Sequence, residues 1–247
     1  MAASKSSDIR YALLIVGLAV FLIVAFVLGI NALWHLNDIR IRQRMREQIA
    51  ALKAGNAKSI WASNEIDSAG RELDELVKAK GNFRAEDDFK LDVMYSQEVD
   101  AFLGKLSGIQ GVTTLYFHNS DVTDVGMVHV ATFPHLKTLI LERGGITDRG
   151  IEALDACPRL EELVFTPTEK SSVSIAALLS LPRVQRLTVY APDGSSWLRD
   201  RLSQFGKGTK LKELTLIDND LPVEEIEKLR SQLPDCKIKA IPPGKET

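Results

Sequence analysis

A hydrophobic motif returns at a nearly regular interval along the second half of this chain. The motif apolar-x-x-Leu-x-apolar occurs five times, with successive offsets of 24, 24, 24 and 27. A near-constant repeat length of this size is typical of repeat proteins, in which stacked units share one continuous core. The pattern predicts parallel strands whose Leu positions face inward, because strand side chains alternate. The five units are Val112/Leu115/Phe117, Leu136/Leu139/Leu141, Leu160/Leu163/Phe165, Val184/Leu187/Val189 and Leu211/Leu214/Leu216.

A second motif follows the first two of these units. Val122-Thr123-Asp124 recurs one repeat length later as Ile146-Thr147-Asp148, and each is followed by x-Gly. Asp is a favoured helix N-cap residue, since its carboxylate accepts from free backbone N–H groups. We therefore expect Asp124 and Asp148 to cap helices over 125–132 and 149–155, and assign them to structure rather than catalysis.

These motifs resemble the leucine-rich repeat family, in its cysteine-containing, ribonuclease-inhibitor-like class, whose units read L-x-x-L-x-L followed by I-T-D-x-G-L. The resemblance covers about residues 96–240 and implies an α/β fold. It implies a leucine-rich repeat solenoid, with a parallel sheet on the concave side and helices on the convex side. The third and fourth units depart from the family pattern after their strands, at 166–170 and 191–197.

The two cysteines and the two ends of the array give further expectations. Cys157 and Cys236 lie three repeats apart, roughly 14 Å at one strand spacing per repeat, so we expect buried thiols rather than a disulfide. Helical spacing over 96–109 predicts the opening unit, through Val99, Phe102, Leu103 and Leu106. Ile226, Leu229 and Leu233 are expected to close the array before a flexible tail over 241–247.

The amino-terminal part predicts a membrane anchor. After a tail over 1–10, the stretch from Tyr11 to Trp34 carries no charge. A helix of that length reaches roughly 36 Å, enough to cross a ~30 Å hydrocarbon core. A buried core helix and a cleaved signal peptide are the alternatives, but both are usually shorter. We expect one uncleaved transmembrane helix over 11–34, which contacts the lipid bilayer through Tyr11 to Trp34.

Residues 35–95 are predicted as a juxtamembrane helical neck. Helix formers favour a helix over 39–54, and apolar residues at helical spacing (Ala69, Leu73, Leu76 and Val77) favour a second over 60–80. Acidic residues mark 81–95 as a connection. The arginines between 40 and 46 either contact anionic headgroups or serve only as a stop-transfer flank. The Lys and Arg count near the span favours a cytoplasmic carboxyl-terminal domain. By resemblance to membrane-anchored repeat proteins, mostly bacterial, we expect a single-pass protein of the bacterial inner (plasma) membrane.

Motifs for chemistry are missing from the sequence. It has no phosphate loop, no nucleophile elbow and no dinucleotide-binding glycine pattern, and its four histidines lack the spacing of a helical zinc pair. The 31 basic and 33 acidic residues give no overall footprint for nucleic acid. We therefore predict a protein that is not an enzyme, with no cofactor, metal site, nucleic-acid partner or small-molecule substrate.

The concave face of the predicted sheet is the candidate binding surface. Tyrosines favour interfaces because they supply contact area and a polar tip, although any concave sheet must present polar side chains to water. The predicted function is protein–protein interaction; the alternative is a structural accessory subunit, held in a membrane complex by the transmembrane helix and neck. The candidate partner-binding residues are Tyr116, His118, Ile140, Glu142, Glu162, Arg186 and Tyr190 on this face and Trp197 in the fourth-unit loop.

Overall fold

A computed structural model describes residues 43, 47, 59–63, 81, 83–86, 88–94, 99–168, 171–191, 198, 201–205, 210–217 and 221–243. The chain divides into two compact units, Met1–Arg44 and Met45–Thr247. Gln43 is helical and is the only described residue of the first unit. Every strand described here belongs to the second unit.

Eight parallel strands form one sheet, and each strand pairs with the next one along the chain. An unbroken sequential order of parallel strands requires a crossover between each pair, as a solenoid-like layout provides. The predicted α/β class with an all-parallel sheet is therefore confirmed. The strands are β1 (Ser59–Ser63), β2 (Phe89–Met94), β3 (Val112–His118), β4 (Thr138–Glu142), β5 (Glu162–Thr166), β6 (Arg186–Tyr190), β7 (Glu213–Ile217) and β8 (Lys237–Ile241).

Short helices occupy the crossovers. A 3₁₀ turn, Leu154–Ala156, follows α3, and a second 3₁₀ turn, Leu202–Gln204, lies between β6 and β7. Helix α1 buries the four apolar residues expected of the opening unit, and Leu229 and Leu233 are buried at the other end. The helices are α1 (Val99–Leu106), α2 (Asp124–Val130), α3 (Asp148–Ala153), α4 (Ile175–Ser180) and α5 (Val223–Gln232).

The strand register is the one that the repeat length predicts. Leu115 lies beside Leu139, and Leu139 beside Leu163. All three side chains are fully buried. The same row continues through Leu187 and Leu214, so one ladder of inward-facing leucines forms the centre of the core.

The sheet begins earlier than expected. Strands β1 and β2 both lie within 35–95, which we predicted as a helical neck, and β1 occupies the start of the helix expected over 60–80. Leu91 and Val93 are buried and stand beside Leu115 and Phe117, again at one repeat length. The prediction was wrong here because β2 lacks the first apolar residue of the motif: Asp88 stands three residues before Leu91. Only the alternation of inward-facing residues, Leu91 and Val93, is present.

The helix caps also differ from the expected ones. Thr123 and Thr147 are the N-cap residues, and their hydroxyls accept from Val125 N and Arg149 N at 3.2 and 3.3 Å. Asp124 and Asp148 are instead the first helical residues. Because the preceding Thr already caps each helix, the Asp carboxylates can point toward the following unit.

Each of these carboxylates binds the N-cap residue of the next unit. Asp124 accepts from Thr147 N at 2.8 Å and Thr147 Oγ1 at 2.7 Å. Asp148 accepts from Ser174 N and Oγ at 2.6 and 3.0 Å, and Asp100 from Thr123 N and Oγ1 at 3.1 and 2.5 Å. Three successive Asp residues, one per unit, thus join four turns of the chain.

The glycine of the Thr-Asp-x-Gly motif makes room for this contact. A Cβ at Gly150 would collide with Asp124 Oδ1 and would lie 2.9 Å from Ile146 Cγ2. At Gly126, a Cβ would collide with Asp100 Oδ1 in the same way. The residues of the motif therefore act together. Thr caps its own helix, Asp accepts from the N-cap residue of the next unit, and Gly leaves room for the Asp of the preceding unit.

The turns after β3 and β4 are built alike. Asn119 and Arg143 occupy equivalent positions of successive units and have φ of 54° and 67°, in the left-handed region. Asn tolerates this region, whereas Arg adopts it at a cost. The second turn therefore keeps the backbone conformation of the first but places a strained residue, Arg143, in it.

The cysteines are both unpaired, as predicted. Cys157 is buried, and its Sγ lies 3.7 Å from Val130 O. Cys236 is only partly buried, contrary to the prediction, because it lies in the turn that leads into the last strand, β8, where no further unit in the described part of the chain covers it.

No helix in the described segments has the length and apolar character needed to cross a bilayer. The predicted span over 11–34 lies outside those segments.

Candidate functional site

The open face of the sheet, formed by the strand residues that alternate with the buried leucines, corresponds to the predicted concave face. Its side chains are partly exposed on every strand from β3 to β7. The register arranges them in three columns, so residues far apart in sequence become neighbours. The central column runs through Asp92, Tyr116, Ile140, Val164, Thr188, Thr215 and Lys239.

A network of polar contacts occupies the β3–β4 part of this face. Tyr116 donates its phenol proton to Glu142 Oε1, and His118 Nδ1 lies 2.5 Å from Glu142 Oε2. The Tyr116 and His118 rings meet edge to face with centroids 5.7 Å apart. One carboxylate therefore holds both aromatic side chains in place.

Strand β2 extends this network with a cation and an anion. Lys90 Nζ lies 3.0 Å from Asp92 Oδ1 and 4.8 Å from the centroid of the Tyr116 ring. Asp92 is 7% exposed, which is low for a carboxylate. The ammonium of Lys90 thus neutralises Asp92 and covers one side of the tyrosine ring.

The electrostatics of this cluster keep the tyrosine protonated. Burial raises the pKa of Tyr116 well above its ordinary value, and the hydrogen bond to Glu142 and the negative charges of Glu142 and Asp92 raise it further. The phenol is therefore a hydrogen-bond donor at neutral pH. It is neither a base nor a nucleophile there.

Ion pairs also cross the other half of the face. Arg186 Nη2 lies 3.2 Å from Glu162 Oε2, between adjacent strands. Lys239 pairs with Glu213, and this hydrogen bond lowers the pKa of the Glu213 carboxyl. Charges of opposite sign thus alternate along the sheet and pair with one another.

The centre of the face is apolar. Ile140 and Val164 are adjacent in the central column, and both are partly exposed. Thr188 and Thr215 continue the column toward β7. The result is an apolar strip bordered by charges that already have partners.

Seven of the eight predicted site residues lie on this face. The register brings together Tyr116 with Ile140, His118 with Glu142, and Glu162 with Arg186. Tyr190 lies in an outer column beside Ile217 and is 36% exposed. Trp197 lies outside the described residues.

Sequence reasoning missed the contributions of Lys90, Asp92 and Lys239 to this face. The signal was present, because Lys90 and Asp92 precede Thr114 and Tyr116 by one repeat length. This unit was not recognised because it lacks the first apolar residue of the motif. Lys239 likewise follows Thr215 by one repeat length, beyond the five units of the motif.

No group of three His, Cys, Asp or Glu in the described part of the chain is arranged to hold a metal ion. The sequence matches no known family model and no curated protein sequence.

Proposed function

We propose that the chain is a leucine-rich repeat protein without catalytic activity, which binds a protein partner through the open face. The apolar strip at Ile140 and Val164, bordered by mutually paired charges, carries this proposal. Binding hot spots are desolvated apolar or aromatic centres inside a ring of polar groups that excludes water. This face has such an arrangement before any partner arrives.

The proposal of a leucine-rich repeat fold is supported by the register and by the turn motif. Leucines one repeat length apart stand side by side in successive parallel strands. The Thr-Asp-x-Gly motif acts between units as well as within them. Both features belong to a stack in which every unit contacts its two neighbours.

The absence of catalysis is supported by the state of the polar cluster around Glu142. This carboxylate already bonds Tyr116 and His118, and the raised pKa of Tyr116 keeps that phenol protonated. These contacts hold the side chains rigid for recognition. They leave the cluster without an activated nucleophile.

The membrane anchor rests on the uncharged run over 11–34. We place the protein as a single-pass component of a bacterial plasma membrane, with the repeat domain on the cytoplasmic side by the distribution of Lys and Arg. In that location the anchor would confine the open face, and hence its partner, to the membrane surface.

A capture experiment from native membranes in mild detergent tests the binding face. The variant Ile140→Gln/Val164→Gln removes the apolar strip, and Val125→Gln/Val128→Gln makes the same kind of change on α2, where the two valines are 61% and 56% exposed. We expect a stoichiometric partner that the first variant loses and the second retains. A partner retained by both variants, and lost only when residues 1–53 are removed, would instead identify a structural accessory subunit.

A further inference from the structure

A second surface lies at the edge of the sheet, where the chain enters strands β5, β6 and β7. An open groove of about 470 Å³ is lined there by Pro158, Arg159, Glu161, Pro182, Arg183, Gln185, Lys210 and Lys212. These residues come from three successive units. Arg159, Arg183 and Lys210 occupy equivalent positions, each directly before the first apolar residue of its unit's motif. The groove is separate from the open face.

The groove is strongly basic, with four cationic side chains and one carboxylate. Arg159, Arg183, Lys210 and Lys212 are all exposed. No described carboxylate forms an ion pair with Arg159, Lys210 or Lys212, whereas Lys90, Arg186 and Lys239 of the open face each pair with a carboxylate. Arg183 donates to Asp155 O at 3.2 Å, which fixes its side chain along the groove.

This concentration of positive charge lies on an acidic body. Residues 54–247 contain 24 Lys and Arg against 30 Asp and Glu, a net charge of −6. The net negative charge of this body disfavours a long polyanion such as nucleic acid, which would extend beyond the groove. A short anionic ligand would contact the four cations and could avoid Glu161, the one carboxylate of the groove.

We propose that this groove binds a short, extended acidic segment of a protein through its Asp or Glu carboxylates. Successive units bring cations together at about 4.8 Å, the spacing of neighbouring strands, so two side chains can hold one carboxylate. Pro158 and Pro182 supply rigid apolar walls for the rest of the segment. Glu161 repels acidic residues at the β5 end, so the carboxylates lie toward Arg183, Lys210 and Lys212.

Fluorescence anisotropy of a labelled peptide of eight glutamates tests the proposal, with the full chain in a neutral detergent. We expect Lys210→Ala/Lys212→Ala to weaken binding about tenfold, since each exposed ionic contact contributes up to about 1 kcal/mol. The control Arg149→Ala/Lys228→Ala removes two exposed cations from helices α3 and α5 and should leave binding within about twofold of wild type. Binding should also weaken as salt rises from about 50 to 300 mM.

Several results would overturn the proposal. One is equal peptide affinity of wild type and Lys210→Ala/Lys212→Ala, measured at equal melting temperature. Another is the absence of binding at about 1 mM peptide. A third is tighter binding of a ten-thymidine oligonucleotide, or of phosphatidylserine vesicles, than of the peptide. The charge-reversing variant Lys212→Glu changes the charge of the groove by the same two units and should also weaken peptide binding about tenfold. It provides a second readout if the double variant misfolds. Ile140→Gln/Val164→Gln should not affect peptide binding, so the proposals for the groove and for the open face are tested independently.

Discussion

Asp124 accepts both the backbone N–H and the hydroxyl of Thr147, one repeat further along the chain, at 2.8 and 2.7 Å. The first residue of one helix thus fixes the start of the next helix. A hydrogen bond to a charged acceptor contributes more than a neutral one, and a donor left without a partner adds a desolvation cost. This side-chain contact is therefore part of what holds adjacent units in register.

Removing this carboxylate should destabilise the domain measurably. We expect Asp124→Ala to lower the free energy of unfolding by about 2–3 kcal/mol, because both bonds to Thr147 are lost. Asp124→Asn keeps one acceptor oxygen and should lose about half as much. Urea unfolding followed by circular dichroism measures both. Asp155→Ala, which truncates an exposed carboxylate, is the control, and an equal loss in that variant would contradict the assigned role.

Substitution of Gly150 tests the close approach of the same carboxylate. Alanine within a helix normally stabilises by about 0.5–1 kcal/mol relative to glycine. At Gly150 the added Cβ meets Asp124 Oδ1, so Gly150→Ala should instead destabilise by about 1–3 kcal/mol. Gly145→Ala, where the Cβ meets nothing within 4 Å, should not.

A double-mutant cycle separates this clash from other effects of the substitution. In the Asp124→Ala background, Gly150→Ala should cost less than in wild type, because the colliding oxygen is gone. Additive losses in the two backgrounds would mean that Ile146, rather than Asp124, excludes a side chain at Gly150.

Arg143 offers a stabilising substitution. Its φ of 67° brings Cβ close to the backbone, which costs energy for most residues, and the equivalent residue of the preceding unit is Asn119, a type that tolerates this region. We expect Arg143→Asn to raise the free energy of unfolding by about 0.5–1 kcal/mol. Arg149→Asn, an exposed arginine replaced in a helix, controls for the lost charge and should not stabilise. An unchanged or lowered midpoint in Arg143→Asn would show that the turn carries no strain.

The raised pKa of the Cys157 thiol predicts a loss of stability at alkaline pH. Burial raises the pKa of its thiol from 9.0 to about 12, although the nearby charge of Arg183 acts to lower it. The unfolded chain therefore releases the thiol proton above about pH 9 while the folded chain retains it, so stability falls as pH rises from 9 toward 12.

Comparison with Cys157→Ala isolates this effect from the other groups that titrate in the same range. Between pH 8 and 10.5, wild type should lose about 2 kcal/mol more than the variant, as the unfolded thiol ionises. Urea unfolding in the presence of a reductant gives the two values. Parallel losses in both proteins would show that the thiol ionises in the folded state as well.

The positions of β3 to β7 could be predicted from the sequence because each of these five units carries the inward leucine of the motif. The columns of the open face followed from them, since side chains alternate along each strand. The contacts within those columns could not be predicted. Whether Glu142 turns toward His118, or Asp124 toward its own helix or the next, depends on rotamers that the hydrophobic pattern does not determine. The basic groove was missed because Arg159, Arg183 and Lys210 precede the strands, outside the face where binding was expected.

Each unit between Asp100 and Ser174 carries one carboxylate for its successor and one hydroxyl residue for its predecessor. A duplicated unit of one repeat length inserted in this region would bring both halves of the contact with it, so the array can lengthen here without new interactions. Beyond Ser174 this ends: Ile175 stands where an Asp would be, and its N–H instead donates to Gln204 Oε1 at 3.2 Å, from the following unit. Gene duplication could therefore extend the array between Asp100 and Ser174 with its contacts intact, whereas a unit added after Ser174 would need new residues for this contact.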